Sequence, residues 1–156
     1  MDNSAPGSSR VTTQFLDHII RGENLTLVDG GKQKRSFLHI HDGVDALMKI
    51  LQDESGITSG KIYNIGNPAN TLSIGELATK MLHAASLVPD LKSQSSRVKI
   101  VSCPAEEYYG VGYQDMKHRV PNIARTCDDL GWMPQVTIDE ALADIIGNSV
   151  CKNGSQ

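Results

Sequence analysis

The residues best suited to bind a ligand stand in one short run over residues 29–35. Two adjacent glycines allow a bound molecule to approach the backbone closely, because no side chain stands in the way. Two lysines and an arginine follow, and arginine can grip a phosphate through two parallel hydrogen bonds. The run predicts either an anion site, such as one for a nucleotide diphosphate, or the solvated tip of a hairpin. Its members are Asp29, Gly30, Gly31, Lys32, Gln33, Lys34 and Arg35.

A second run, Tyr-Gln-Asp-Met-Lys-His-Arg over residues 113–119, lies inside a polar stretch from 103 to 120. Loops of this length within a compact domain are usually functional or mobile. A phenol, a carboxylate and several cations could close over an anionic substrate. A hydrophilic surface loop has the same composition and is the more common case.

His39, His41 and Asp42 form the only other cluster with ligand chemistry in the sequence pattern. On a strand the two histidines would share one face, but a metal site needs a third ligand, and no residue at a telling spacing supplies one. We predict no metal site, with Asp42 capping a helix. The three cysteines are widely separated, which favours reduced thiols.

Composition excludes several classes of function. The chain contains neither GxxxxGK[ST] nor GxGxxG, so it has no recognisable phosphate or dinucleotide loop. A net charge of −3 and an aromatic content of 4% argue against nucleic-acid binding. No apolar run approaches the roughly 20 residues that span a bilayer, and no secretory signal begins the chain. We therefore expect a cytoplasmic protein that binds no nucleic acid and no membrane.

The 156 residues correspond to one domain, which we place at residues 1–150, followed by a frayed tail at 151–156. Apolar spacing predicts about five helices alternating with a few short strands, hence an α/β fold. Short strands are predicted at the ranges 25–28, 36–40, 61–66 and 97–102. Because so few short strands do not form a stable sheet by themselves, the chain is expected to be part of a larger fold.

Helix boundaries carry local signals. Ser73-x-x-Glu76 and Thr137-x-x-Glu140 are capping boxes that predict two helix starts. Pro121 suits the first position of another helix, which Gly131 would end. Ser8 or Ser9 is expected to cap the first helix, which Gly22 would end.

Four longer strings resemble the C-terminal part of extended short-chain dehydrogenases/reductases that act on nucleotide sugars. They are LVDGGKQKRSFLHIHDGVDAL, KIYNIGNPANTLSIGELA, YYGVGYQDMKHRVPNIART and DDLGWMPQVTIDEAL, in this order. Within that superfamily the resemblance is to the UDP-glucuronate decarboxylases that serve polymyxin resistance through 4-amino-4-deoxy-L-arabinose on lipid A. It extends from about Gly7 to Ile146. The implied fold is the C-terminal part of an NAD-binding Rossmann-type fold, mostly its substrate-binding lobe.

The resemblance implies roles for matching positions. Arg119 matches an arginine proposed as proton donor, although a guanidinium, which keeps its proton at neutral pH, is better suited to stabilising an enolate. Tyr113 and Arg10 match residues near the nucleotide sugar. The stretch from Thr26 to Arg35 matches the segment along the UDP moiety, and Thr26 stands where close relatives carry lysine.

The resemblance also implies partners. The family's Gly-rich cofactor loop and its Tyr-x-x-x-Lys pair precede the part that this chain matches. NAD is therefore expected as cofactor of the complete domain, held by an N-terminal half that is missing here. The other implied partners are UDP-glucuronate or a similar UDP-sugar and further copies in a homo-oligomer.

The expected function is the substrate-side part of an NAD-dependent UDP-glucuronate oxidative decarboxylase, inactive alone. The alternatives are a fragment of a UDP-sugar epimerase or dehydratase, and a non-catalytic module for nucleotide-sugar binding or assembly. Two structural expectations accompany the main interpretation. Arg35 and Arg119 should meet at one site, although 84 positions separate them. An apolar surface should be exposed where the missing half would pack.

Overall fold

The computed structural model describes residues 10–112 and 115–153, with side chains as far as residue 150. Within these residues it has seven helices, against about five expected, because two short helices interrupt stretches that sequence left irregular. The helices are α1 (Val11–Arg21), α2 (Ile40–Leu51), α3 (Ile74–Ser86), α4 (Pro89–Ser95), α5 (Ala105–Tyr109), α6 (Ala124–Leu130) and α7 (Ile138–Asn153). The strands are β1 (Leu25–Val28), β2 (Lys34–Ser36), β3 (Thr71–Ser73), β4 (Ile100–Cys103) and β5 (His118–Arg119).

The strands form two small sheets. β1 and β4 pair in parallel, with Leu25 opposite Ile100 and Val28 opposite Cys103. β2 lies between β3 and β5, antiparallel to the first and parallel to the second. The α/β class is confirmed, and the shortness of the strands agrees with a portion of a larger fold.

The main core lies between α1, α3, α7 and β1. Alternation along β1 points Leu25 and Leu27 into this core, while Thr26 and Val28 face the other side. Gly22 ends α1 in the left-handed conformation, with φ 70°, as expected from sequence. The core side chains are Phe15, Ile19, Leu25, Leu27, Leu77, Ala78, Met81, Ala85, Leu91, Val98, Leu142 and Ile146.

Both capping boxes are confirmed. The Ser73 hydroxyl accepts from the Glu76 amide at 3.1 Å, and the Glu76 carboxylate accepts from the Ser73 amide at 2.7 Å. The Thr137 amide donates to the Glu140 carboxylate at 2.8 Å in the same way. Hydrogen bonds from Ser73 and Thr137 lower the pKa of Glu76 and of Glu140. These bonds fix the starts of α3 and α7.

The expected strand at 36–40 is wrong in its bounds. β2 takes Lys34–Ser36, so Lys34 and Arg35, the last two residues of the run at 29–35, lie on a strand. His39 is already the N-cap of α2, and its ring accepts from the His41 amide at 3.3 Å. The two histidines therefore share a helix start, not one face of a strand.

Asp42 does not cap α2, contrary to expectation. It is buried in the first turn, and its carboxylate accepts from the amides of Gln135 at 3.0 Å and Val136 at 3.1 Å. The indole N–H of Trp132 donates to the backbone carbonyl of Asp42 at 3.1 Å. A residue of α2 thus organises a segment more than 90 positions further along the chain.

Residues 61–66 do not form the expected strand. Lys61 Nζ and the Tyr63 hydroxyl both donate to Asp129 Oδ2 at 2.8 Å, so the segment is tied to α6 by side chains. Among the described residues, no strand pairs with it, and a strand without a neighbour leaves its backbone groups unpaired. Partial removal from water, with the Asp129 hydrogen bond, raises the pKa of Tyr63 to about 12.

α6 begins at Ala124 and not at Pro121, where sequence placed it. A Cβ built on Gly66 would lie 2.5 Å from Pro121 Cγ, so the proline packs against the backbone of the 61–66 segment. Thr126 is the buried residue of α6, and its hydroxyl donates to the Asn64 carbonyl at 2.7 Å. Gly131 ends the helix with φ 56°, as expected.

One face of α2 stays exposed although it is apolar. Its members recur at helical spacing and are 43% to 79% exposed in this chain. The α2 apolar face comprises Ile40, Val44, Leu47, Met48 and Leu51. An apolar surface is therefore exposed, as expected, and the packing of a missing half against it stays a prediction.

α7 is the longest helix and runs to Asn153, beyond the expected domain end at residue 150. The rest of the expected tail lies outside the described residues. Within the described part of the chain, no helix combines the length and the apolar character needed to cross a membrane.

Candidate substrate-binding site

A large cavity lies between the N-terminal half of α1, β1, β2, β5 and α7, and has a volume of about 880 Å³. This is within the range typical of small-molecule sites, about 300–1,000 Å³. Five of the residues that sequence selected line it: Arg10, Thr26, Gln33, Arg35 and Arg119. They come from four separate stretches of chain, so the fold collects them.

Arg35 and Arg119 are direct neighbours across β2 and β5, where their Cα atoms are register partners. In a parallel pair, residues in register present their side chains to the same face of the sheet. Both side chains line the cavity. The two arginines therefore meet at one cavity, as expected, and an anion bound there stays a prediction.

The guanidinium of Arg35 donates hydrogen bonds to other residues of this chain. Its Nη2 donates to Asp115 Oδ2 at 2.6 Å, and Nη1 donates to the carbonyls of Met116 at 2.8 Å and Lys34 at 2.9 Å. The Arg35 side chain is 15% exposed. Arg35 therefore lines the cavity and also holds residues 115 and 116 by hydrogen bonds. This second, structural role was not evident from the sequence.

Other members of the 29–35 run lie outside the cavity lining. Asp29, Gly30 and Gly31 form a turn with positive φ throughout, and Lys32 and Lys34 are exposed. Tyr113, the remaining candidate, lies outside the described residues. Sequence thus identified the neighbourhood of the cavity better than the individual lining residues.

The glycine turn is filled by the protein itself. A Cβ on Gly31 would lie 2.8 Å from the backbone nitrogen of Gly75, so the turn packs directly on the start of α3. The Gly30 amide donates to Ser102 Oγ at 3.0 Å, and Asp29 Oδ1 accepts from the Ala105 amide at 3.0 Å. The expectation that these glycines open the backbone to a ligand is therefore wrong at Gly31.

Two tyrosines that sequence left without a role border the cavity. Gln14 Nε2 donates to the Tyr108 hydroxyl at 2.9 Å, which links α1 to α5. Tyr108 and Tyr109 stack edge to face with ring centroids 4.7 Å apart. Their aromatic character inside a polar stretch was the available signal.

His39 and Asp144 form a further polar pair in the cavity wall. His39 Nε2 lies 3.1 Å from Asp144 Oδ2, while the other ring nitrogen accepts from the backbone. This geometry fits an Nε2–H that donates to the carboxylate. Asp144 also accepts from Asn148 at 2.9 Å. Among the described residues, no group of three or more His, Cys, Asp or Glu could hold a metal ion.

Comparison with known proteins adds a family match. Residues 2–66 match the NAD dependent epimerase/dehydratase family. The chain is similar to the PbgP3 protein from Burkholderia pseudomallei, with 51% identity over 87% of this chain and a TM-score of 0.74.

More distant solved structures share the fold. The UDP-glucose 4-epimerase of Thermotoga maritima, solved with UDP-glucose, is 18% identical over 94% of this chain and 41% of its own, with a TM-score of 0.72. WbmF of Bordetella bronchiseptica, solved with NAD⁺ and UDP, is 23% identical over 93% of this chain and 38% of its own, with a TM-score of 0.69.

The chain spans less than half the length of these proteins, and 37% of PbgP3. The fold is thus part of the Rossmann-type fold of extended short-chain dehydrogenases/reductases. The match to the NAD dependent epimerase/dehydratase family covers residues 2–66, which is less than half of this chain.

Proposed function

We propose that this chain forms the substrate-binding side of an NAD-dependent UDP-glucuronate oxidative decarboxylase, which makes a UDP-4-keto-pentose for modification of lipid A. The observation that carries the proposal is that two exposed arginines, Arg10 and Arg119, line one large cavity. A UDP-sugar with a carboxylate carries negative charge at two separate points. Arg10, Thr26 and Gln33 lie on the same wall and would contact the nucleotide part.

The step we assign to these residues starts from the 4-keto sugar. Its carboxylate is β to the ketone, so the C5–C6 bond can break with release of CO₂, and the electron pair passes into an enolate. A proton then returns to C5. Arg119 would stabilise the negative charge that develops on the enolate oxygen, as a fixed cation in a partly enclosed site does. Its guanidinium does not lose a proton at neutral pH, so a water is the more suitable proton source.

The described residues do not fit an NAD site. The one turn with consecutive positive φ is packed against Gly75, and its Gly30 amide is used by Ser102. We therefore assign the cofactor and the oxidation of C4 to a nucleotide-binding half supplied by other polypeptide. The chain alone is expected to release no CO₂ from UDP-glucuronate.

The α2 apolar face is the surface on which we place that half. Ile40 belongs both to this face and to the cavity lining, so one partner would cover the face and complete the cavity wall. Homo-oligomer formation remains a prediction from the resemblance.

The test compares binding of UDP-glucuronate, UDP-glucose and UDP to the chain by calorimetry or ligand-detected NMR. We expect UDP-glucuronate to bind more tightly than UDP-glucose, because only the former presents a carboxylate to Arg119. Arg119→Met should remove the preference and leave UDP binding within about twofold, since the diphosphate is expected to contact other residues. Arg125→Met, an exposed arginine on α6, is the matched control.

Equal affinity for the two sugars would favour an epimerase or dehydratase fragment. Absence of binding by all three compounds would favour a non-catalytic assembly module.

A further inference from the structure

Arg35 and Arg119 lie in register on neighbouring strands, so their positive charges repel each other. The surroundings of the two side chains differ. Like charges directly opposite on neighbouring strands are destabilising. Arg35 is mostly buried and donates to three acceptors. Arg119 is exposed, and no described residue accepts a hydrogen bond from its side chain. In this pair, the charge of Arg35 is therefore used in contacts within the protein, and the charge of Arg119 is available to a ligand.

Asp115 supplies the charge that makes this division possible. Of the two aspartates in the cavity wall, Asp144 is already bonded to His39 and Asn148. Asp115 is the one that reaches Arg35, at 2.6 Å and with the short geometry of a charge-assisted bond.

The same contact fixes the chain that leads to Arg119. Arg35 holds Asp115 by its carboxylate and Met116 by its carbonyl, and the Lys34 amide donates to the Lys117 carbonyl at 2.8 Å. Three consecutive residues are thus attached to β2 just before β5 begins. A guanidinium can span such a set of acceptors because its donors lie in a rigid fork.

We propose that Asp115 is a positioning residue for Arg119. It neutralises Arg35 and holds the segment 115–119 on β2, so that of the two paired arginines Arg119, and not Arg35, presents its charge to a ligand in the cavity. The identity of that ligand rests on the proposed function, whereas the division between the two arginines does not.

The first experiment needs no ligand. The folded chain is treated with phenylglyoxal, which modifies accessible arginines, and modification is followed for each arginine by mass spectrometry. We expect Arg119 to react well before Arg35. Asp115→Asn should raise the rate at Arg35 by about tenfold or more, as expected for loss of a charge-assisted bond. Asp115→Glu should preserve most of the protection.

Asp128→Asn removes the same charge from an exposed site on α6 and should leave both rates unchanged. An Arg35 that reacts as fast as Arg119 in the wild type, or that is indifferent to Asp115→Asn, would overturn the proposal.

The second measurement follows the segment itself. Trypsin cleavage after Lys117 should accelerate in Asp115→Asn, because the segment is then held less firmly. Arg35→Lys keeps the charge but loses the fork, and should also accelerate this cleavage. If Asp115→Asn does not fold, Arg35→Lys decides the matter alone. Unchanged cleavage in the folded variants contradicts the proposal.

A double-mutant cycle links the segment to the ligand. If Asp115 acts through Arg119, Asp115→Asn should weaken UDP-glucuronate binding in the wild type but not in Arg119→Met. Protection of Arg35 without any UDP-sugar binding would refute the proposed function and leave the positioning role standing. Binding without protection, or an undiminished effect in Arg119→Met, would refute the positioning role alone.

Discussion

Leu77 and Leu51 both lie on the apolar faces of helices, yet Leu77 is fully buried and Leu51 is 79% exposed. Leu77 belongs to α3, which packs against α1, α4 and α7. Leu51 belongs to α2, whose apolar face is largely exposed in the part of the chain that the structure describes. The apolar face of an amphipathic helix is therefore buried in the region of α3 and exposed in the region of α2. The periodicity of apolar residues identifies the face of a helix that is suited to burial. Whether another element covers that face can be seen only in the tertiary structure.

The largest difference between the regions should appear on truncation. Leu77→Ala leaves a cavity in a closed core and should lower the free energy of unfolding by about 2–5 kcal/mol. Leu51→Ala removes a solvent-exposed side chain and should change it by less than about 0.5 kcal/mol. Urea denaturation followed by circular dichroism measures both. Similar losses for the two variants would mean that the α2 apolar face is covered in solution.

Asp42 tests the contact that anchors α2 to the rest of the chain. Asp42→Ala leaves the amides of Gln135 and Val136 without their acceptor and should cost about 1–3 kcal/mol in the free energy of unfolding. Asp45→Ala, an exposed aspartate on the same helix, should be neutral within about 0.5 kcal/mol. A neutral Asp42→Ala would show that α2 is held mainly by other contacts.

The α2 apolar face should bind an environment-sensitive dye. Replacing Leu47 and Leu51 together by glutamine should lower 8-anilinonaphthalene-1-sulfonate fluorescence severalfold while leaving stability within about 0.5 kcal/mol. The same double change should abolish association with a nucleotide-binding half if that half docks here. Unaltered fluorescence would place the dye site elsewhere, for example in the cavity.

The smallest expected effect concerns the cap of α7. Because the folded pKa of Glu140 is lowered, its contribution to stability is present above the unfolded pKa and is lost as pH falls through the folded value. Glu140→Gln should therefore lower the melting temperature slightly at pH 7 and make no difference once the carboxylate is protonated. Thermal unfolding of both proteins between pH 7 and pH 3 provides the measurement. A difference that persists at pH 3 would point to the shape of the side chain, not its charge.

Local signals were sufficient for part of this structure. The bounds of β1, the glycine that ends α1 and both capping boxes are set by residues within four positions of each other, and all were predictable. The meeting of Arg35 with Arg119 spans 84 positions, and it was expected from the cationic character of their two loops together with the resemblance.

The failures have a common physical origin in distant partners. The sequence predicted that Asp42 caps a helix, but its carboxylate accepts hydrogen bonds from the amides of Gln135 and Val136. Residues 61–66 have the composition of a buried strand, but no strand in the described part of the chain lies beside them, and they bond to α6. The glycines at 30 and 31 suggested room for a ligand, whereas Gly75 fills the space at Gly31.

Trp132 gives this chain a built-in optical reporter. It is the only tryptophan, it is 1% exposed, and its indole N–H is bonded to the backbone of α2. Its emission therefore comes from the junction between α2 and the segment before α7, and not from the α1–α3–α7 core. Separation of that junction would shift the emission to longer wavelength while the core helices still contribute to circular dichroism. The two signals, recorded on one sample without any label, would show whether the covered and the uncovered regions of the molecule melt together or in sequence.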